Sequence, residues 1–161
     1  MIVSTLEGTR PLQLELQALV TPANFGTPRR TVLGADYNRA CLLLAVLEKR
    51  GGFPLQTQDV FINVAGGARI TEPAADLGII LAAASSYVDR AVPADTIIVG
   101  EVGLTGEVRA VSGFDARLRE AAALGFQEAI VPRNNLADAA PSAISTKGVS
   151  TVEEAIRVLL G

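Results

Sequence analysis

The stretch from Pro73 to Asp89 is apolar nearly all the way round and is built on small residues, among them Ala74, Ala75, Gly78, Ala82, Ala83 and Ala84. A helix without a polar face has to be surrounded, and a thin one lets other backbones approach closely, so it belongs in the middle of a domain. The rest of the chain supplies the wrapping. Leu12 to Val20 alternate apolar and polar, the period of two of a strand with one wet face. A loop from Thr21 to Pro28 leads into Arg29 to Leu33, which is expected to be the antiparallel partner of that strand. Asp36 caps a helix from Tyr37 to about Arg50, with Tyr37, Ala40, Cys41, Leu44 and Leu47 on one face and Gly51-Gly52 ending it. Asp59 to Val64 reads as a buried strand. Thr96 to Val99 and Glu107 to Val111 are expected strands on either side of the turn Gly103 to Gly106, followed by a helix over Asp115 to Leu124. Glu128 to Val131, Ala143 to Ser145 and a last helix from Thr151 to Leu160 continue a strand-helix rhythm, which predicts an α/β fold with a mixed sheet packed by helices.

With 161 residues, 49% hydrophobic and 19% charged, the chain is sized for one domain with a sizeable core. The longest apolar stretch, Leu77 to Ala84, falls far short of the roughly 20 residues that span a bilayer, so no membrane partner is expected. The single cysteine, Cys41, excludes an internal disulfide and fits a reducing compartment, the cytoplasm by default. The chain has no histidine and only two lysines, Lys49 and Lys147. That removes Ser-His-Asp and Cys-His catalysis, His-based metal sites and a thiolate zinc site. Hydrolysis would have to run on a hydroxyl-lysine pair or on two carboxylates.

Three segments then carry a resemblance: Asp59-Val60-Phe61-Ile62-Asn63-Val64, the apolar helix after Glu72-Pro73, and Gly103-Leu104-Thr105-Gly106-Glu107-Val108. Together they resemble the proteolytic domain of the Lon protease family, which implies that family's two-layer βαβ fold of ribosomal-protein type. Leu6-Glu7-Gly8-Thr9-Arg10-Pro11, Phe25-Gly26-Thr27-Pro28-Arg29-Arg30, Asp36-Tyr37-Asn38-Arg39 and Val46-Leu47-Glu48-Lys49-Arg50 are similar to the C-terminal Lon-like domain of the RadA (Sms) family of bacterial DNA repair proteins. By that resemblance the residues 1–161 form the C-terminal part of a longer protein with an upstream RecA-type ATPase. Ser4 to Pro11 is expected to enter from that neighbour.

In Lon proteases the nucleophile opens the central helix in a Gly-Pro-Ser-Ala-Gly run, and its lysine follows the Thr-Gly-Glu-Val turn. Here the serine's place falls on Ala75 or Asp76 and the lysine's place on Asp115, so the resemblance implies a pseudo-protease without a catalytic residue. Asp76 and Asp115 are open to two readings: an acid pair across the old cleft, or residues serving the starts of their helices.

What remains is surface and assembly. The resemblance implies a hexameric, ring-forming scaffold that helps bind DNA during branch migration, with a recombinase as a further partner of the full-length protein. No Gly-x-x-x-x-Gly-Lys-Ser/Thr loop occurs, so ATP and magnesium are expected outside these residues and no cofactor within them. The net charge is −3, which leaves local basic clusters to meet phosphate. Candidate DNA contacts are Arg29, Arg30, Arg39, Lys49, Arg50 and Arg117. Arg39 and Arg50, about three helical turns apart, return to nearly the same face of their helix. The competing readings are an active Lon-type peptidase with an unrecognised nucleophile and a peptide-binding module in the vacated cleft.

Overall fold

A computed structural model describes all residues 1–161. The strands are β1 (Ile2–Glu7), β2 (Arg10–Pro22), β3 (Arg30–Leu33), β4 (Gln58–Val64), β5 (Thr96–Ile98), β6 (Glu101–Val102), β7 (Val108–Arg109), β8 (Glu128–Pro132) and β9 (Ser145–Val149). The helices are α1 (Tyr37–Gly51), α2 (Asp76–Val88), α3 (Phe114–Ala123), α4 (Arg133–Leu136) and α5 (Val152–Leu160). Seven strands form one sheet in the order β3-β4-β2-β1-β5-β8-β9, while β6 and β7 make a separate hairpin. β2 is antiparallel to both β1 and β4, and the other neighbours run parallel. The fold is α/β with a mixed sheet, as the rhythm of the sequence predicts.

The apolar helix sits where its composition requires. Every residue from Asp76 to Ala84 is buried, after a tight 3-10 turn over Pro73–Ala75. At Gly78 a Cβ would stand 2.1 Å from Val3 Cγ1, so the absence of a side chain is what lets α2 lie directly on β1. On this face α1, α2 and α5 share one core with Val3, Leu16, Ile62, Ile98 and Ile130. The opposite face of the same strands presents Ile97, Val99, Ala129 and Val131 to Phe114, Leu118 and Ala121 of α3. The β1-β5-β8 half of the sheet is therefore covered on both faces, a third layer beyond the two-layer expectation. No helix is long and apolar enough to cross a membrane.

Three local expectations are corrected. β3 pairs in parallel with β4, not antiparallel with β2. The connection β3-α1-β4 is a crossover through a helix, which joins parallel strands, and β4 itself takes the edge of β2 from Leu16 to Pro22. The segment Ser4 to Pro11, expected as an entering segment, is an integral part of the fold as the β1-β2 hairpin, with Ser4 and Thr5 buried and Gly8 turning at φ 65°. The turn Gly103 to Gly106 is flanked by β6 and β7, shorter than the strands expected around it. Here Val108 N–H donates to Ser150 O at 2.9 Å, tying the hairpin to the start of α5 instead of to a longer partner strand.

Candidate functional site

Asp36 accepts a hydrogen bond from Arg39 N–H at 2.7 Å, which starts α1 and fixes Arg39 in its first turn. From there the guanidinium reaches Asp76, the first residue of α2. Arg39 Nε donates to Asp76 Oδ1 at 3.1 Å, and Arg39 Nη2 donates to Asp76 Oδ2 and, at 3.0 Å, to Val102 O. Val102 N–H of the β6-β7 hairpin donates to Asp76 Oδ2 at 3.1 Å. The carboxylate is only 2% exposed, whereas the arginine side chain is 36% exposed. Burial pushes the Asp76 carboxyl above its ordinary value, with Arg39 and Val102 N–H pulling the other way. The hydrogen bond to Asp76 in turn raises Arg39.

The two candidate nucleophile positions are thus both accounted for: Ala75 is fully buried, and Asp76 is spent on a bidentate pair and a backbone amide. A cavity of about 230 Å³ lies beside the pair, between Ala35, Asp36, Ile70, Thr71 and Pro73. Asp115 is not part of it. Its carboxylate accepts from Ala140 N–H at 3.1 Å and lines a different depression with Leu118 and Arg119, so no acid pair with Asp76 is formed. Neither aspartate is the N-cap residue, a place held by Ala75 and by Gly113 at φ 63°, but both lie in the first turn of their helices, where negative charge is favoured. Both lysines are exposed, and Lys147 faces Glu128 at 3.3 Å. No group of three or more His, Cys, Asp or Glu side chains is gathered that could hold a metal.

Arg117 is corrected as a DNA contact, because its side chain is 0% exposed. Nη1 and Nη2 bind the two oxygens of Glu72 at 2.6 and 2.9 Å, Nη1 also donates to Ser4 O at 3.0 Å, and Nε donates to Ser112 O at 2.9 Å. Glu72 Oε1 additionally accepts Leu6 N–H at 2.7 Å. The knot joins β1, the segment entering α2 and the start of α3. A signal for it stands in the sequence: Phe114, Arg117, Leu118 and Ala121 recur at helical spacing, which puts Arg117 on the apolar stripe.

The remaining basic candidates divide. Arg30 is turned inward, donating from Nη1 to Gln58 O at 2.6 Å and from Nη2 to Leu55 O at 2.9 Å. Arg29, Lys49 and Arg50 are exposed and make no side-chain hydrogen bond within the domain. Arg39 and Arg50 do share a face of α1. It is the face toward the β6-β7 hairpin, where Arg39 holds Val102 O and the stem of Arg50 lies against Gly106.

Residues 38–135, the span from α1 into α4 that contains the whole Arg39–Asp76–Val102 arrangement, match the family described as subunit ChlI of Mg-chelatase. The chain belongs to that family. The chain is also 53% identical over 161 residues to the DNA repair protein RadA of Halalkalibacterium halodurans, covering 99% of this chain and 35% of that protein. It is 52% identical to the DNA repair protein RadA of Bacillus subtilis, with the same coverage, and 49% identical to that of Streptococcus pneumoniae, covering 97% of this chain and 37% of the relative. This ChlI-family chain therefore spans about a third of the length of the curated relatives it matches.

Proposed function

We infer that these residues form a non-catalytic, Lon-like scaffold domain of a RadA-type DNA repair protein. In that reading an ATPase module precedes them in a longer polypeptide and carries the nucleotide and magnesium. Copies of the domain associate into a ring, six in number, and exposed basic side chains meet DNA phosphates without regard to sequence, during branch migration in recombination. The observation that carries the non-catalytic part is the occupied position at the head of α2. Asp76 is buried and fully engaged by Arg39 and Val102 N–H, and both lysines lie in solvent. A hydroxyl-lysine mechanism needs a buried amine beside a hydroxyl, an arrangement these contacts do not provide. The similarity of 99% of this chain to about a third of each DNA repair protein RadA supports the repair assignment.

For DNA, Arg29, Lys49 and Arg50 are the residues on which the reading rests, since their charges have no partner inside the domain. Arg30 and Arg39 act as holders of backbone and carboxylate first. Filter binding of duplex DNA at rising salt tests this. Affinity should fall steeply with salt, and Arg29→Glu or Arg50→Glu should weaken binding equally on unrelated sequences. Unchanged binding in both variants would remove the DNA surface. Light scattering tests the ring, and a monomer at high concentration would remove the scaffold. Turnover of casein that is lost in Lys49→Ala or Lys147→Ala would establish the peptidase instead.

A further inference from the structure

β2 is longer than the neighbour on its inner edge. Its pairing with β1 ends at Ile2↔Glu15, yet β2 continues to Pro22 with β4 on the other edge only. The direction of the amides decides what this leaves. Ala23 N–H donates across to Thr57 O on the β4 side, so odd-numbered residues there serve β4. Even-numbered residues face the β1 side: Leu16 N–H donates to Met1 O at 2.8 Å, and Val20 N–H donates to Ser86 Oγ at 2.9 Å. Ala18 lies between them and points its N–H and C=O the same way, with no strand on that side to receive them. What it faces is a groove of about 370 Å³ between β2, α2 and the segment Asp89–Val92, with Met1 at one end and Ser86 beside the other.

The groove has the geometry of a missing stretch of strand. Met1 already stands at the register position opposite Leu16, so chain running on from it in the same line passes Ala18 two residues earlier and reaches the hydroxyl of Ser86. A residue opposite Ala18 would share its face and that of Met1 and Val3, which pack toward α2. Its side chain would enter beside Ala82 and Ser85, space for a small or medium apolar group. We propose that this groove is the seat of the residues leading into Met1 in the longer polypeptide, where they prolong β1 and bond to Ala18 N–H and C=O. This rests on the reading that the domain follows another module, and it is supported by relatives about three times as long. It assigns the incoming chain a fixed exit direction from the sheet, so that a preceding module is held by a strand and not by a slack tether.

The test is amide hydrogen exchange resolved at Ala18, compared between the 161-residue chain at low concentration and the natural full-length protein. Gln17 and Leu19, bonded to β4, should be slow in both. Ala18 should exchange openly in the short chain and about 100-fold more slowly in the long one. Open exchange at Ala18 in the full-length protein overturns the proposal while leaving the longer-polypeptide reading intact. Slow exchange in the dilute short chain overturns it by showing a groove that closes on itself. Slowing that grows with concentration of the short chain overturns it in favour of a second copy as occupant. A native protein whose intact mass is near 16.8 kDa defeats the parent reading, and this proposal falls with it.

Discussion

Two arginine–carboxylate pairs hold this domain together, and they are opposites in burial. In the Arg117–Glu72 knot the guanidinium is sealed off and the carboxylate is the more accessible partner, at 20% exposure. In the Arg39–Asp76 pair the carboxylate is sealed and the arginine reaches solvent. The four hydrogen bonds of Arg117 end on oxygens of Ser4, Glu72 and Ser112, which makes the knot a joint between three segments. Arg39 closes a cleft and still shows a charged flank. The contrast teaches that an arginine's role here follows from which partner was desolvated, not from its sequence neighbours.

That contrast can be broken by substitution. Arg117→Met should have the largest effect, because it leaves Glu72 and Ser4 O facing a neutral chain in a dry site. A loss of about 3–5 kcal/mol in urea unfolding is expected, and a loss below about 1 kcal/mol would end the claim that the knot is a joint. Arg117→Lys should recover little of it, since one ammonium cannot form the bidentate fork and reach two carbonyls. Arg39→Ala comes next, at about 1–3 kcal/mol, smaller because water reaches the vacated site. Equal losses in Arg39→Ala and Arg117→Met would erase the distinction between the pairs.

A pH series sharpens it further. Burial raises Asp76 in the folded state, so its contribution to stability is fully present below the ordinary aspartate value and is lost as pH rises through the higher folded value. The margin of the wild type over Asp76→Asn should therefore shrink as pH climbs through that window, and a margin that widens would reverse the sign. The smallest change is expected at Glu154, held below its ordinary value chiefly by Ser150 N–H and then by Arg133. Its contribution should be present above the ordinary glutamate value and fade as pH falls through the folded one, a slope that Glu154→Gln removes.

Much of the fold was legible because local signals coincide with tertiary ones. Asp36, Gly52 in a left-handed turn and the small-residue helix bracket α1 and α2 as their residue types demand. Pairing was less legible. Nothing local in Arg30 to Leu33 distinguishes a parallel edge strand from an antiparallel one, since its partner is chosen by the crossover through α1. β1 is less legible because Ser4 and Thr5 are polar residues in mid-strand, although both are buried. The site follows the same division. An aspartate inside an otherwise apolar helix calls for a buried partner, so Asp76 announces a cation; which arginine supplies it depends on how α1 docks. Arg117 carried its own notice in the stripe it shares with Phe114 and Leu118, a pattern that reads through only if charge is not taken as a mark of the surface.

The arrangement around Asp76 also bears on how freely this part of the protein can drift. One carboxylate answers two donors from separate elements, α1 and the β6-β7 hairpin. A shorter alcohol there strands a guanidinium and an amide in one stroke, so neither α1 nor the hairpin tolerates the exchange alone. Val102 engages only through its backbone N–H and C=O, so a change at position 76 can be answered by a side chain at Arg39 but by none in the hairpin.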